Sequence, residues 1–213
     1  MNLMKTDTRL LTVARFKEKS KVLGPGIRSV IWFHGCSKHC PGCLAKSMNE
    51  ATEFQTFTSE SLAETVCAVN GTGGITLSGG EPFEQNPEAL ASFLVMVKAS
   101  QRNVMCFTGY KYEELSASTV WHPVLYQIDL LIDGEYMETE NNGTLWRGSS
   151  NQRFFFLSES LMEYKGKIEQ ELGRSLEFDL NINQTIDITG IPPKGFLDRF
   201  RKSMNSQNYD IVW

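Results

Sequence analysis

Four short apolar runs, residues 28–34, 74–78, 103–108 and 126–133, alternate with segments whose apolar residues recur at helical spacing. Strand, helix, strand, helix in this order argues for βα units feeding a parallel sheet. The helix signals are local. Thr58 offers a capping hydroxyl with Glu60 in the first turn, and Leu62, Val66 and Val69 form one stripe that Gly71 stops. Asn86-Pro87 opens a second helix, with Leu90, Phe93, Leu94 and Val97 on one face. A third spans 111–117. The fold class expected is therefore α/β, a βα-repeat parallel sheet that is open or curls into a partial, open TIM-like barrel.

Residues 9–16 form an entrance strand, and Gly24-Pro25-Gly26 turns the chain into the next. Residues 136–151 are polar and Gly/Asn/Ser-rich, a loop crossing the sheet and open enough to admit a partner's peptide. One more strand follows at 153–157. Leu161, Ile168 and Leu172 share a helix face, 178–182 and 186–188 pair around Asn183-Gln184, and a last helix covers 195–204 after Pro192-Pro193. His122 before Pro123 reads as a turn residue. With 213 residues and 41% hydrophobic content, one domain over 1–213 accounts for the chain.

In parallel βα folds ligands sit at the carboxyl ends of the strands. Each polar constellation falls there. Cys36, Cys40 and Cys43, spaced C-x3-C-x2-C, follow the first strand; Gly79-Gly80-Glu81 follows the second; Thr108-Gly109 closes the third and Asp133-Gly134 the fourth. Three cysteines within eight residues can converge on one metal centre. Two centres compete: an iron–sulfur cube on three cysteines with one iron left open, or zinc on the three cysteines plus His34 or His39. Cys67 and Cys106 lie among apolar residues and read as core. Glycines at 79 and 80 let a ligand pack against bare backbone, and their carbonyls with Glu81 suit an ammonium group better than a phosphate.

A formal charge of −4 leaves no electrostatic footprint for nucleic acid. No apolar run approaches the roughly 20 residues of a membrane helix, and residues 1–7 lack the apolar segment of a signal peptide. An odd number of cysteines without such a signal points to a reducing, cytoplasmic setting. Asn183-Gln-Thr185 fits a glycosylation pattern that has no meaning without secretion.

Taken together, Cys36-x3-Cys40-x2-Cys43 and Ser78-Gly-Gly-Glu-Pro82 resemble the radical S-adenosylmethionine (SAM) enzymes. Gly24-Pro-Gly-Ile-Arg28, Cys40-Pro-Gly-Cys43, Phe107-Thr-Gly-Tyr110, Glu113-Glu-Leu115, Asp129-x3-Asp133-Gly134, Arg147-Gly-Ser-Ser-Asn-Gln-Arg153 and Ile188-Thr-Gly-Ile-Pro192 are similar to the activating subunits of anaerobic ribonucleotide reductases, from about residue 20 to about 192. The chain departs from the pattern at Gly42, where many radical SAM enzymes carry an aromatic residue, and in its extra length over roughly 158–185. The resemblance implies a [4Fe–4S] cluster on Cys36, Cys40 and Cys43, and SAM bound at its open iron. Gly79, Gly80 and Glu81 would hold SAM's amino end, Gly42, Cys43 and Leu44 would approach it through backbone, and Thr108 and Asp133 would face its methionine or ribose oxygens. It further implies a 5′-deoxyadenosyl radical that takes hydrogen from a glycine of a large glycyl-radical protein, an anaerobic ribonucleotide reductase. A small electron-transfer protein such as flavodoxin or ferredoxin would supply the electron. The competing functions are a radical SAM enzyme acting on another peptide or small molecule, and a zinc-binding adaptor without catalysis.

Overall fold

A computed structural model describes residues 10–168, 173–180 and 186–205. The expected residues Arg9, Leu172 and Ile182, the Asn183-Gln184 turn, the glycosylation pattern and the leader reading at 1–7 lie outside that set.

The elements are β1 (Leu11–Ser20), β2 (Arg28–Phe33), α1 (Lys46–Asn49), β3 (Gln55–Phe57), α2 (Ser59–Cys67) and β4 (Gly74–Gly79). Next come α3 (Pro87–Ala99), β5 (Asn103–Phe107), α4 (Tyr112–Ala117), α5 (His122–Leu125), β6 (Leu130–Asp133) and β7 (Arg153–Phe156). The chain continues through α6 (Lys165–Ile168), β8 (Leu176–Leu180), β9 (Ile186–Gly190) and α7 (Phe196–Asn205).

Seven strands form one sheet in the order β3-β1-β2-β4-β5-β6-β7. The four central strands run parallel, while β1, β3 and β7 pair antiparallel at the two edges. The sheet is open and not closed into a barrel. Its four parallel strands are added one after another on the same side. With right-handed crossovers, that order places every connecting helix on one face.

Strand parity sorts the core accordingly. Ile31, Phe33, Ile75, Leu77, Val104, Cys106 and Leu131 pack under α2, α3, α4 and α5. The opposite face is covered by later chain: Met105, Leu130 and Ile132 meet Trp146, Leu161 and Ile168, and Val30 and Trp32 meet Leu23 and Ile191. The capping signals hold, with Thr58 accepting from the Ser61 amide and Asn86 from that of Ala89.

Several expectations change. β3 is a short strand with no apolar signature. Residues 126–129 are not strand: Pro123 sits at the start of α5, so the chain is still finishing a helix there. His122 opens that helix, its ring nitrogen 2.8 Å from the Ser116 carbonyl. Cys67 is half-buried, its Sγ 3.5 Å from Ser100 Oγ. The 136–151 loop is no slack gate: Thr144, Trp146 and Ser149 are buried, and Ser149 Oγ accepts from the Met137 amide at 3.1 Å.

Arg28 locks the amino-terminal end of the sheet. It is 1% exposed and donates to Thr76 Oγ1 (2.8 Å), the Ile75 carbonyl (2.6 Å), Asn103 Oδ1 (2.7 Å) and the Pro25 carbonyl (3.2 Å). Burial lowers its pKa to about 10. Gly24 has φ +132°, and a Cβ there would lie 2.7 Å from Arg28 Cδ, so the turn must be glycine for the guanidinium to fit. Arg28→Met should cost about 2–4 kcal/mol, because several buried acceptors lose their donor. A lower denaturant midpoint at unchanged m value checks it.

Candidate functional site

The site lies where β2 and β4 end. Phe33 accepts from the Gly80 amide and Gly35 from the Glu81 amide, both at 2.7 Å, which lays the cysteine loop across the end of β4. A Cβ on Gly80 would stand 2.1 Å from the Gly35 carbonyl oxygen, and one on Gly79 (φ +92°) 2.6 Å from Trp32 Cα. The glycines thus serve first the crossing of two backbones, a reason the motif alone did not reveal.

The loop is pinned at its near end. Glu84 accepts from the Ser37 amide (2.9 Å) and hydroxyl (2.5 Å) and from the Tyr110 hydroxyl (3.3 Å). Lys38 Nζ sits 3.8 Å from the Tyr110 ring centroid.

A cavity of about 160 Å³ opens at this crossing. Cys36, Cys40 and Cys43 line it together with Gly79, Gly80, Glu81, Thr108 and Leu44. Burial raises all three thiols above their ordinary range. Among the described residues, no three His, Cys, Asp or Glu side chains gather tightly enough for a single metal ion. Neither histidine joins the thiols: His34 stacks on Phe54 and places its ring nitrogen 3.0 Å from the Ala51 carbonyl, while His39 is exposed. Three half-buried thiols along one cavity wall suit a polynuclear centre, where each thiolate meets a different iron. The residues present therefore fit a cube better than a Cys3His zinc site.

Glu81 is 2% exposed, and both its carboxylate oxygens accept hydrogen bonds. Its Oε1 accepts from Thr108 Oγ1 (2.7 Å) and the Phe83 amide (3.0 Å), its Oε2 from the Gly109 amide (2.8 Å). Burial raises its pKa to about 7 against the lowering effect of these donors. Thr108 reaches the cavity, but its hydroxyl proton is spent on Glu81.

Gly42 lines an adjoining groove rather than this cavity. Asp133 lines neither. Asp133, expected to face SAM's oxygens, is fully buried, accepts from the Tyr112 amide (2.7 Å) and pairs with Arg153 Nε (3.0 Å), turned toward the helices.

Residues not foreseen line the cavity too: Trp32, Phe107, Tyr136, Gln152, Gly190 and Ile191. Gln152 bridges loops, accepting from the Gly148 amide and donating to the Gly134 carbonyl, both at 2.8 Å.

Residues 22–155 match the model of the 4Fe-4S single cluster domain family. A protein of Enterobacteria phage T4 is 32% identical over 148 residues, 67% of this chain and 92% of the relative. One of Salmonella typhimurium is 34% identical over 141 residues (62% and 89%), and one of Escherichia coli K12 34% over 139 (62% and 89%). All three are named anaerobic ribonucleoside-triphosphate reductase-activating protein. Fold and site thus define a single-cluster iron–sulfur protein. Within that class, the chain belongs to the family of anaerobic ribonucleoside-triphosphate reductase-activating proteins.

The raised pKa of Glu81 has a stability consequence. Its folded value, about 7, exceeds the unfolded 4.5, so the folded state holds the proton more tightly. The contribution is fully present below about pH 4.5 and is lost as pH rises through about 7. The stability difference between the metal-free wild type and Glu81→Gln should therefore shift in favour of the variant across that window. Denaturant titrations at several pH values measure it.

Proposed function

We propose that this chain activates an anaerobic ribonucleotide reductase by generating a glycyl radical on it. The observation that carries the reading is the convergence of Cys36, Cys40 and Cys43 with Gly79, Gly80 and Glu81 on one cavity, in a chain that matches about nine-tenths of the length of such activating proteins. When bound, a [4Fe–4S] cluster and SAM supply a 5′-deoxyadenosyl radical by one-electron cleavage of SAM.

The chain's own residues hold and shield these groups. Cys36, Cys40 and Cys43 ligate the cluster, and Cys67 and Cys106 do not. Glu81 retains acceptor capacity on Oε2 for the SAM amino group, and Thr108 orients that carboxylate instead of touching the ligand. Gly79 and Gly80 present backbone, as do Cys43 and Leu44 on the cavity wall and Gly42 at its edge. Trp32, Phe107 and Ile191 exclude water.

Strand order and one-sided helices support an arc of a partial barrel, and a single domain over 1–213. Free cysteines throughout support a cytoplasmic setting. A one-electron step calls for a small electron donor of the flavodoxin or ferredoxin class.

Two experiments test the function. Replacing each of the five cysteines by Ala before anaerobic reconstitution should abolish full iron and sulfide loading at positions 36, 40 and 43 and leave it intact at 67 and 106. Full loading in any of the first three removes that residue from the ligand set. Electron paramagnetic resonance on the reduced, SAM-loaded protein with its reductase should then show a glycyl doublet that collapses on α-deuteration, with deuterium in 5′-deoxyadenosine. Radical chemistry on a free peptide or metabolite, with no signal on any reductase, would overturn the reading.

A further inference from the structure

The chain continues for 58 residues past the end of the family match at 155; this extension, in which Ile188-Thr-Gly-Ile-Pro192 is still similar to the activating subunits, is fastened to the site through its described residues. Arg174 spends its guanidinium on five oxygens: the carbonyls of Thr144 (3.0 Å), Arg147 (2.6 Å), Gly148 (3.1 Å) and Pro192 (3.2 Å), and Asn141 Oδ1 (2.7 Å). Asn141 in turn donates to the Tyr136 hydroxyl at 3.1 Å. Arg15 pairs with Asp187 at 3.3 Å, and Lys17 bonds to Glu177 and Asp179. The extension is thus held in register with the loop that walls the cysteine cavity.

Held in this way, β9 and the start of α7 face the cysteine loop across a groove of about 530 Å³. Trp32, Cys43, Leu44, Ala45, Tyr136 and Gly190 line both the groove and the cavity, so the groove runs into the cavity. Ile186 and Ile188 of β9 form part of its wall, with Leu197 of α7 further along. Among the described residues β9 pairs with β8 alone, leaving its other edge available for a further strand.

We infer that this groove receives an extended segment of the reductase bearing the glycine to be activated, with the extension as its recognition wall. The inference rests on the activase reading and names where the partner docks. A cavity of 160 Å³ cannot admit a folded protein, so the glycine has to arrive on a narrow, extended strand. The groove supplies a course of that shape ending at the thiols. Pro192, Pro193 and the backbones of Gly42, Gly190 and Gly195 form part of its wall, with Glu138 packed over Gly42 and Arg199 over Gly195.

The test fills the groove. Leu197→Trp and Lys194→Trp narrow it from the extension's side, and Val120→Trp, an exposed site beside the α4–α5 turn and outside the groove, serves as control. Affinity for the anaerobic reductase of the same organism is measured directly, with iron content and SAM affinity alongside. Both groove variants should bind the reductase at least tenfold more weakly, while the control, iron loading and SAM affinity stay unchanged. In the wild type, backbone amides of β9 should gain protection from hydrogen exchange when the reductase is added, a readout independent of any variant's folding. Wild-type affinity in both groove variants, or unprotected β9 amides in a formed complex, overturns the groove and leaves the activase reading standing. A reductase that docks in the groove yet never acquires a glycyl radical does the reverse. One that does not bind the wild type at all overturns both.

Discussion

Two backbones cross at Gly35 and Gly80, and the site depends on that contact. The two 2.7 Å hydrogen bonds beside it, from Gly80 to Phe33 and from Glu81 to Gly35, carry the cysteine loop onto the end of β4. No side chain is tolerated there, because even a methyl group on Gly80 would collide with a carbonyl oxygen. The same crossing buries Glu81, since its backbone is drawn beneath the loop. One steric constraint therefore sets both the position of the thiols and the environment of the nearest acid.

The two strand-end carboxylates illustrate how environment divides similar groups. Glu81 meets only neutral donors, a hydroxyl and two amides, in a buried setting, and its proton is held to about pH 7. Asp133 is equally buried but has a guanidinium against it, and that partner also pairs with exposed Glu113. Glu81 is thus left responsive to an incoming cation. Asp133 is already neutralised and ties β6 to β7 and to the start of α4. The placement of a cation, and not burial, separates the electrostatics of the two carboxylates.

The parallel strands were legible because both faces are buried, which makes each a nearly continuous apolar run bounded by glycine. β3 was not, since Gln55-Thr56-Phe57 owes its strand to the neighbouring edge of β1 rather than to its own residues. The cysteine and Gly-Gly-Glu motifs line one cavity because each follows the end of a parallel strand. What the motifs withheld was direction. Strand parity carried it for Asp133: Ile132 faces the loop-covered side, so the next residue faces the helices. Tyr136, Gln152, Gly190 and Ile191 sit on loops and on an extension whose path no periodicity encodes. Only tertiary contact brings them to the cavity.

The manner in which the extension is attached bears on what it can do. α7 has no buried residue, and Phe178, Phe196 and Phe200 gather with ring centroids 5.5–6.4 Å apart as a small apolar cluster of their own. The extension's hold on the rest of the molecule combines Leu161, Ile168 and Ile191, buried against the sheet, with polar ties through Arg174, Arg15 and Lys17. Exposed ion pairs add little stability, but the Arg174 guanidinium, half-buried and bonded to five oxygens, fixes distance and direction at once. At β8, β9 and α7 the attachment positions a wall while leaving much of its apolar surface uncovered. Phe178 and Leu180 remain exposed and Ile186, Ile188 and Leu197 only partly covered, so the apolar area that a buried interface would have used is still free at the groove and beside it.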